Sequence, residues 1–274
     1  MDSGYSLMIL SMAYSPCPND TSMFHDIAAG HYSRQGYAVS THLHDVETLN
    51  RLALSHTYDI TKISFHTYLL VREHYQLLNT GAALGFGCGP LLVSRTPIAP
   101  AELARCRIAV PGELTTAHLL LRLWAPEARL KIFTTYDRVM ELVRTGEADC
   151  GILIHESRFV YQQAGLTCLV DLGQWWEQET GQPIPLGGIV ARKTLGDAVI
   201  TGFEALLRQS IIRSRAHPEA SATYVREHAL ERDETVVKKH IEMFVTDFSV
   251  DLGEAGHKAI AVLESMARKA GVIP

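Results

Sequence analysis

The sequence predicts an α/β protein of two lobes that enclose a ligand cleft, and three observations support this prediction. Short runs of β type alternate with helical stretches, which is the pattern of βαβ units. From about residue 195 onward, the chain shows only the helical spacing of apolar residues. Two stretches rich in Pro and Gly, residues 85–90 and 182–188, each precede an extended run and bracket a long middle segment.

The predicted strands are short runs bounded by turn residues. In chain order they are Leu7–Ala13, Ala38–Leu43, Tyr58–Ile63, Gln76–Asn79, Leu91–Ser94, Arg107–Val110, Leu130–Phe133, Cys150–Ile154, Thr167–Asp171 and Gly188–Ala191. The predicted helices follow N-cap residues, a Pro-Gly turn or the end of a strand, and two of them stop at Gly. They are Asn19–Ala29, Val46–Leu54, Ser64–Arg72, Thr115–Leu123, Tyr136–Arg144, Ser157–Gln163, Ala198–Ser214, Pro218–His228, Asp233–Phe244 and Glu254–Ala270.

The order of these elements divides the chain into two lobes. Residues 1–94 and 194–274 form the first lobe, which carries the C-terminal helices. Residues 95–193 form a second lobe that is inserted in the first. Each extended segment carries the chain across once, so we expect a two-strand hinge about which the lobes close.

The composition is that of a globular protein and excludes several classes of partner. The 274 residues carry a formal net charge of −5 and contain no run rich in Lys or Arg, so nucleic acid is not an expected partner. No apolar run approaches the roughly 18 to 20 residues that span a bilayer, so we expect no membrane association. A mildly acidic protein that binds an anion must do so locally, through backbone amides or single cations.

The cysteines and the N-terminal segment predict a cytoplasmic protein. The five cysteines are scattered and odd in number, which is typical of reduced thiols, and none forms a Cys-x-x-Cys pattern. The apolar run Leu7–Ala13 follows a segment whose only charge is Asp2, whereas an export signal begins with basic residues. We therefore expect this run to be the first strand.

Two motifs in the first lobe lie where a predicted strand gives way to a helix. Residues 15–21, Ser-Pro-Cys-Pro-Asn-Asp-Thr, follow the first strand. Lys62 and Ile63 end the third strand, and Ser64 follows where the strand gives way to a helix. The Ser64 hydroxyl with the amides after it could receive a carboxylate, while Lys62 adds positive charge. Ligands of open α/β sheets bind at this carboxyl edge. Helix capping alone also explains both motifs.

A third motif, residues 110–117, lies in the second lobe. It runs through a Pro-Gly turn into a helix whose first turn holds Thr115 and Thr116. Free amides at such a helix end attract an anion. The small Ala117 leaves room for close approach of a ligand, although Thr115 alone would be an ordinary N-cap.

The fourth motif presents a histidine. An apolar strand delivers His155 to its carboxyl end, beside a helix start, where it would face the cleft between the lobes. An imidazole with its ordinary pKa of about 6.5 accepts a proton readily at neutral pH, so His155 is a candidate general base. The alternative is a structural or capping histidine beside Glu156.

Other candidates are weaker. His42 and His44 share a strand face as metal ligands would, but no third ligand follows at zinc-like spacing, so we expect no metal site. Cys17 has no basic neighbour in the sequence to activate it as a nucleophile. The Trp175-Trp176 pair could stack on a ligand ring or pack between the lobes.

Taken in order, these motifs resemble the 1,4-dihydroxy-6-naphthoate synthases of the futalosine pathway to menaquinone. Six segments in register along the whole chain carry the resemblance. They are residues 15–21, Lys62-Ile63-Ser64, residues 87–91, residues 112–117, Ile154-His155-Glu156 with Arg158, and Pro185-Leu186-Gly187-Gly188. The resemblance implies a periplasmic-binding-protein-like fold of type II that is used as an enzyme in the cytoplasm.

The resemblance also implies an activity and the residues that carry it. Members of the family are carbon–carbon lyases that convert cyclic dehypoxanthine futalosine, a small carboxylate-bearing substrate, to 1,4-dihydroxy-6-naphthoate without a metal or redox cofactor. The family's catalytic base corresponds to His155. Its substrate contacts correspond to Lys62, Ile63, Ser64, Thr116 and Ala117. Residues 22–25 and 65–66 depart from the family pattern and could alter the shape of the pocket.

Three alternatives remain open at this point. The nearest is the chorismate dehydratase of the same pathway, which has a similar fold. A non-catalytic carboxylate-binding protein would share the fold and use His155 only as a hydrogen-bond partner, but we expect no export signal here. A ligand-sensing regulator would need an appended DNA-binding domain, which we do not expect. The sequence leaves the oligomeric state unknown.

Overall fold

The computed structural model describes residues 8–31 and 37–274, so Leu7 of the first predicted strand lies outside the described residues. The strands are β1 (Met8–Tyr14), β2 (Tyr37–Leu43), β3 (Ile60–Ser64), β4 (Tyr75–Leu77), β5 (Ala83–Gly85), β6 (Leu91–Ser94), β7 (Ile108–Val110), β8 (Lys131–Phe133), β9 (Cys150–Leu153), β10 (Thr167–Asp171) and β11 (Ile184–Arg192). The helices are α1 (Pro18–Ala28), α2 (Val46–Leu54), α3 (Phe65–Val71), α4 (Thr116–Trp124), α5 (Tyr136–Thr145), α6 (Ser157–Val160), α7 (Leu172–Thr180), α8 (Asp197–Ala216), α9 (Pro218–His228), α10 (Glu234–Phe244), α11 (Asp247–Val250) and α12 (Gly253–Lys269).

The first sheet has six strands in the order β2-β1-β3-β11-β4, with β5 paired to a separate part of β11. β1 runs parallel to β2 and β3. β11 runs antiparallel to β3, β4 and β5. The β3 strand is central, and all five of its residues are buried.

The second sheet has five strands in the order β10-β6-β9-β7-β8. β7 runs parallel to β8 and β9, and β6 runs antiparallel to β9 and β10. Because β1 and β3 point the same way, and β7 and β9 point the same way, the carboxyl ends of these strands bring the four sequence motifs to two sheet edges.

The chain passes between the two sheets twice. It leaves the first sheet after β5 and enters the second at β6, and it returns through α7 to β11. β11 ends at Arg192 and is paired in the first sheet along its length. The lobe boundaries at residues 94 and 194 and the two-strand hinge stay predictions.

Most predicted elements are present within a few residues of their expected ends, but the sequence analysis missed β5, α7 and α11. β5 is only three residues long. α7 starts at the end of a strand, where the Asp171 carboxylate accepts hydrogen bonds from the N–H groups of Gly173 and Gln174. β11 begins at Ile184, four residues earlier than expected. Pro185 can belong to this strand although it has no N–H to donate, because it lies at an irregularity in the pairing of β11 with β5.

The helical tail packs against the first sheet. Phe203 and Leu207 of α8 share a buried cluster with Leu10 of β1 and Phe24 of α1. Within residues 8–31 and 37–274, no helix combines the length and apolar character needed to cross a bilayer.

Trp176 anchors the return crossing in the core. Its side chain is fully buried among residues such as Phe65 of α3 and Leu119 of α4, and its indole N–H donates to the carbonyl of Pro183 at 3.1 Å. The tryptophan pair was expected either to stack on a ligand or to pack between lobes, and Trp176 packs.

The two crossings touch through a pair of glycines. A Cβ atom on Gly89 would lie 2.2 Å from the backbone N and Cα of Gly173, far closer than atoms can approach. Glycine at position 89 is therefore required by this backbone contact, which fixes the first crossing against the start of α7.

We expect Gly89→Ala to lower the free energy of unfolding by about 1–3 kcal/mol, since a methyl group forced into a packed backbone contact displaces one crossing from the other. Urea titration followed by circular dichroism measures the effect. Gly85→Ala is the matched control, because its Cβ would meet neighbours no closer than 3.5 Å. An equal loss of stability in both variants would contradict this account of the crossing.

Candidate active site

A cavity lies between the two sheets, at their carboxyl edges. It contains about 740 Å³ of space, part of it open to solvent. Its lining residues come from both sheets and from the first crossing. They are Ser15, Asn19, Asp20, Val46, Leu49, Lys62, Ile63, Ser64, Ala83, Cys88, Gly89, Pro90, Thr115, Thr116, Ala117, Ile154, His155, Arg158, Leu186, Gly187 and Phe244. All six site residues predicted from the sequence are in this set: Lys62, Ile63, Ser64, Thr116, Ala117 and His155.

Lys62 is buried, and its ammonium pairs with the carboxylate of Asp20. The same carboxylate accepts a hydrogen bond from the Ser15 hydroxyl at 2.7 Å and one from the Asn19 amide nitrogen at 2.9 Å. Asp20 therefore neutralises much of the positive charge that the sequence analysis assigned to ligand binding. The pair also ties β3 to the turn between β1 and α1.

Ser64 is held by Asn50 on α2. The Ser64 N–H donates to Asn50 Oδ1 at 2.9 Å, and the Ser64 hydroxyl accepts from Asn50 Nδ2 at 3.1 Å. This amide is thus occupied, but the hydroxyl proton remains available to a ligand. Asn50 is fully buried and lies 14 residues from Ser64, so the sequence analysis did not single it out.

The first turn of α4 presents two free amides to the cavity. Thr115 is the N-cap and accepts a hydrogen bond from the N–H of His118 at 3.2 Å. In the described part of the chain, the N–H groups of Thr116 and Ala117 have no acceptor. Such amides at a helix start attract an anion.

The Thr116 hydroxyl joins three elements. It donates to the carbonyl of Leu186 on β11 at 2.6 Å and accepts from the N–H of His66 on α3 at 3.3 Å. It is therefore a structural bridge across the top of the cavity, and the backbone of Thr116 is the part left free for a ligand.

His155 lies two residues after the end of β9 and has a left-handed backbone conformation, with φ of 56°. A residue with a Cβ atom adopts this conformation at a cost, and such strain is concentrated at functional sites. The turn directs the ring into the cavity lining, where Tyr136 packs edge-on with ring centroids 4.7 Å apart. Nε2 of His155 is buried and has no hydrogen-bond partner among the described residues.

Burial lowers the pKa of His155 to about 4, opposed by nearby Asp20 and assisted by Lys62. The imidazole is therefore neutral at pH 7 and has a lone pair to accept a proton. The alternative of a capping histidine fits poorly, because no described residue bonds to its buried nitrogen.

Behind the cavity, His155 belongs to a cluster that the sequence analysis did not predict. One side-chain atom each of Cys17, His155 and Glu156, a sulfur, a ring nitrogen and a carboxyl oxygen, lie within 4.8 Å of one another. Glu156 is buried, and burial raises its pKa to about 7. The cluster thus places a proton acceptor and a proton-holding carboxyl side by side.

In the structure, the Cys17 sulfur lies beside a ring nitrogen of His155 and a carboxyl oxygen of Glu156. Burial raises the pKa of its thiol well above the ordinary value, and the charges of Glu156 and Asp20 raise it further. A protonated thiol is neither a good nucleophile nor a metal ligand.

His240, on α10 of the helical tail, closes the cluster from the far side. Its Nδ1 lies 3.9 Å from Glu156 Oε2, and its ring stacks on that of His155 at 6.0 Å. Nε2 bonds to Asn19 Oδ1 at 2.9 Å. The only signal for His240 in the sequence is its place in an amphipathic helix about 85 residues after His155.

Arg158 places a guanidinium at the cavity wall. It donates to the carbonyl of Gly87 at 2.8 Å and lies 3.3 Å from the Asp171 carboxylate. Its side chain is largely buried, so it holds the first crossing against the second sheet. The weaker histidine candidates have other partners: His44 bonds to the Tyr58 hydroxyl at 2.9 Å, and His42 packs on the same ring.

Comparison with known proteins identifies the family. Residues 10–269 match the family model described as menaquinone biosynthesis. The chain belongs to this menaquinone biosynthesis family. Two family members, both named 1,4-dihydroxy-6-naphthoate synthase, are similar over nearly their full length. The one from Thermus thermophilus is 43% identical, with 96% of this chain and 95% of the relative covered. The one from Streptomyces coelicolor is 41% identical, with 97% and 95% covered.

Solved structures confirm the predicted fold class for this family member. A protein from Archaeoglobus fulgidus superposes with a TM-score of 0.91 at 32% identity, covering 99% of this chain and all of that one. The periplasmic aliphatic sulphonate binding protein of Escherichia coli gives a TM-score of 0.66 at 12% identity, covering 98% and 89%. The chain therefore has the periplasmic-binding-protein-like fold that the motifs implied.

The buried histidines predict acid lability. Burial lowers the pKa values of His66, His118 and His155 to about 4 each, whereas the unfolded chain titrates near 6.5. The unfolded state then binds more protons between pH 6.5 and pH 4, so the free energy of unfolding falls on acidification across this window. Glu156, whose pKa is raised to about 7, acts in the opposite direction between pH 7 and about pH 4.5, as does Glu47, whose pKa burial also raises, whereas the lowered pKa of His240 adds to the effect of the three histidines.

We expect His118→Gln to reduce this loss of stability, because one buried imidazole no longer has to stay neutral. Each pKa unit corresponds to about 1.4 kcal/mol. Urea unfolding at pH 6.5, 5.5 and 4.5 gives the slope of the free energy of unfolding against pH, which should be smaller in His118→Gln than in the wild type. His217→Gln, which changes an exposed histidine, is the control and should leave the slope unchanged. Identical slopes for all three proteins would show that His118 is not held neutral.

Proposed function

We propose that this chain is a 1,4-dihydroxy-6-naphthoate synthase, a carbon–carbon lyase that converts cyclic dehypoxanthine futalosine to 1,4-dihydroxy-6-naphthoate. Two relatives with this name, each above 40% identity over nearly the whole chain, support the proposal. The observation that carries it within the structure is the neutral, strained His155 in the wall of a cavity opposite two free amides. An enzyme of menaquinone biosynthesis that acts on such an intermediate is expected in the cytoplasm.

The substrate carboxylate docks at the start of α4 in this proposal. The free N–H groups of Thr116 and Ala117 donate to it, and the Ser64 hydroxyl faces it from the other sheet. Hydrogen bonds to a charged acceptor are each worth about 1.5–3 kcal/mol, enough to orient a small ligand. The apolar side chains of Ile63 and Ala117 line the part of the cavity that holds the ring system of the substrate.

His155 then acts as the general base. Closure of the two sheets over the substrate expels water and brings the sugar-derived part of the substrate to the imidazole. The neutral ring takes a proton, a carbon–carbon bond breaks, and formation of the aromatic product supplies driving force. No step in this scheme needs a metal or a redox cofactor.

The alternatives are less well supported. The relatives above 40% identity carry the name of the synthase, and neither is named as a chorismate dehydratase. The solute-binding proteins that share the fold are only 10–16% identical to this chain. Identity at this level supports a shared fold but not a shared function. Incubation with cyclic dehypoxanthine futalosine, followed by mass spectrometry, tests the proposal directly. Binding without formation of the naphthoate would favour the carboxylate-binding protein.

His155→Asn is expected to lower kcat by about 10²- to 10⁴-fold, the usual contribution of a positioned base. Asn tolerates the left-handed backbone better than Ala does, so this variant removes the imidazole without adding strain. Stopped assays of naphthoate formation measure kcat, and a thermal melt checks the fold. Turnover close to wild type would remove His155 from the role of base.

The docking role of the α4 amides can be separated from the Thr116 hydroxyl. Thr116→Pro removes both the N–H and the hydroxyl, and the extended conformation of Thr115, with ψ of 150°, accommodates a following proline. Thr116→Val removes only the hydroxyl. We expect KM for Thr116→Pro to exceed that for Thr116→Val by about tenfold, the loss of one charge-assisted hydrogen bond. Equal KM values in the two variants would place the carboxylate elsewhere.

A further inference from the structure

The cavity wall hides a polar pair that the proposed mechanism does not use. Glu156 and His240 do not line the cavity, yet they lie directly behind His155. Oε1 of Glu156, Nδ1 of His240 and Nε2 of His155 are all buried and have no hydrogen-bond partner among the described residues. Buried polar atoms are almost always paired, so three together call for an explanation.

The hydrogen bonds around His240 fix its tautomer. The Asp20 carboxylate can only accept, so Asn19 must direct its nitrogen to Asp20 and its oxygen to His240. Nε2 of His240 therefore carries the proton, and Nδ1 presents a lone pair. Since that lone pair faces Glu156 Oε2 at 3.9 Å, two acceptors oppose each other in a site where His240 is fully buried and only 9% of the Glu156 side chain is exposed. A proton between them removes the conflict and would draw them about 1 Å closer, to hydrogen-bond distance.

We propose that Glu156 and His240 form a proton store behind His155, which receives the proton that His155 removes from the substrate. The inference rests on the proposed role of His155 as base. Glu156 does not touch substrate, so it acts through His155 as a positioning and proton-accepting residue.

The transfer is balanced in protons and electrons. The substrate carbon loses a proton and keeps the bonding electron pair, and His155 becomes an imidazolium. The imidazolium gives a proton to the Glu156 carboxylate, which becomes a neutral carboxyl and donates to Nδ1 of His240. His155 is then neutral again inside the closed cavity, and after product leaves and the cavity opens, the Glu156 carboxyl releases the proton to solvent and is again a carboxylate.

The electrostatics of the cluster favour this direction. Burial lowers the pKa of His155 to about 4 and raises that of Glu156 to about 7, so a proton moves downhill from the ring to the carboxyl. Burial also lowers the pKa of His240, which keeps its Nδ1 an acceptor.

Titratable and charged groups from several elements face or influence Glu156 and its two histidine neighbours. They are Cys17 at the start of α1, Tyr136 at the start of α5, Glu231 ahead of α10, and the Lys62–Asp20 pair between β3 and α1. Burial and nearby negative charge raise the pKa values of Cys17 and Tyr136, so both stay protonated, and Lys62 is neutralised by Asp20. Glu156 is thus the group in this set whose ionisation falls near neutral pH.

The decisive variant is Glu156→Gln, because its amide mimics the protonated carboxyl, donates to His240 and cannot accept a proton. In the wild type, kcat should rise with pH along a limb of the pH profile whose midpoint lies near pH 7, because Glu156 ionises there and becomes able to accept a proton. In Glu156→Gln, we expect this limb to vanish and kcat to fall about tenfold at pH 8, while KM changes less than twofold and the melting temperature does not fall. Glu156→Asp should restore part of the limb.

Glu141→Gln is the matched control, since it removes an equal charge from the exposed face of α5. It should leave the pH profile and kcat unchanged. A Glu156→Gln enzyme that keeps the limb near pH 7, or that loses kcat, KM and melting temperature together, would overturn the proposal.

A measurement without substrate separates this inference from the proposed function. In protein labelled with ¹⁵N-histidine, the ring nitrogens of His240, assigned by their loss in His240→Gln, should shift with a midpoint near pH 7 as Glu156 ionises. The shift should be absent in Glu156→Gln. If this titration is seen but His155→Asn retains turnover, Glu156 and His240 share a proton, but that proton does not come from His155, and the proposed transfer is overturned together with the base assignment. If the His240 signals do not move between pH 6 and pH 8, the proton store does not exist.

Discussion

The buried carboxylate of Asp20 is the constraint on which the cleft depends. It accepts hydrogen bonds from Ser15 and Asn19 and pairs with the ammonium of Lys62, and almost none of it is exposed. A buried charge is tolerated only when it is paired and fully hydrogen-bonded, and removal of one partner is strongly destabilising. Satisfying Asp20 therefore fixes the β1–α1 turn against β3 and, through Asn19 and His240, fixes α10 against both.

Burial also sets the pKa values of the titratable groups near the cavity. Desolvation disfavours every charged form, so it lowers the pKa of His155 and raises that of Glu156. One physical cause thus yields a neutral imidazole at the cavity wall and, behind it, a carboxyl whose pKa is raised to about 7. The strained backbone at His155 is part of this arrangement, because the left-handed turn aims the ring at the cavity instead of along β9.

The fold explains how residues of two sheets come to line one cavity. Sheets joined by two crossings form a cleft in which one sheet supplies Lys62 and Ser64 and the other supplies Thr116 and His155. The second of these sheets also carries the neutral imidazole of His155, on which the proposed reaction depends. Close contact between Gly89 and Gly173 keeps the crossings, and with them the two halves of the site, in register.

The sequence by itself determined the alternation of strands and helices, the helical tail and the six predicted residues of the cavity. These are local matters: hydrophobic periodicity, N-caps and turns depend on neighbours a few positions apart, and parallel strands bring their carboxyl ends to one edge. Only the tertiary structure decided what those residues do there. Lys62 is neutralised by Asp20, 42 residues away, the Thr116 hydroxyl bridges to Leu186, and His240 reaches His155 from the far end of the chain. These partners are set by tertiary packing. A buried polar atom must form a hydrogen bond or ion pair with a group that the fold places beside it, and that group can lie at any distance along the chain.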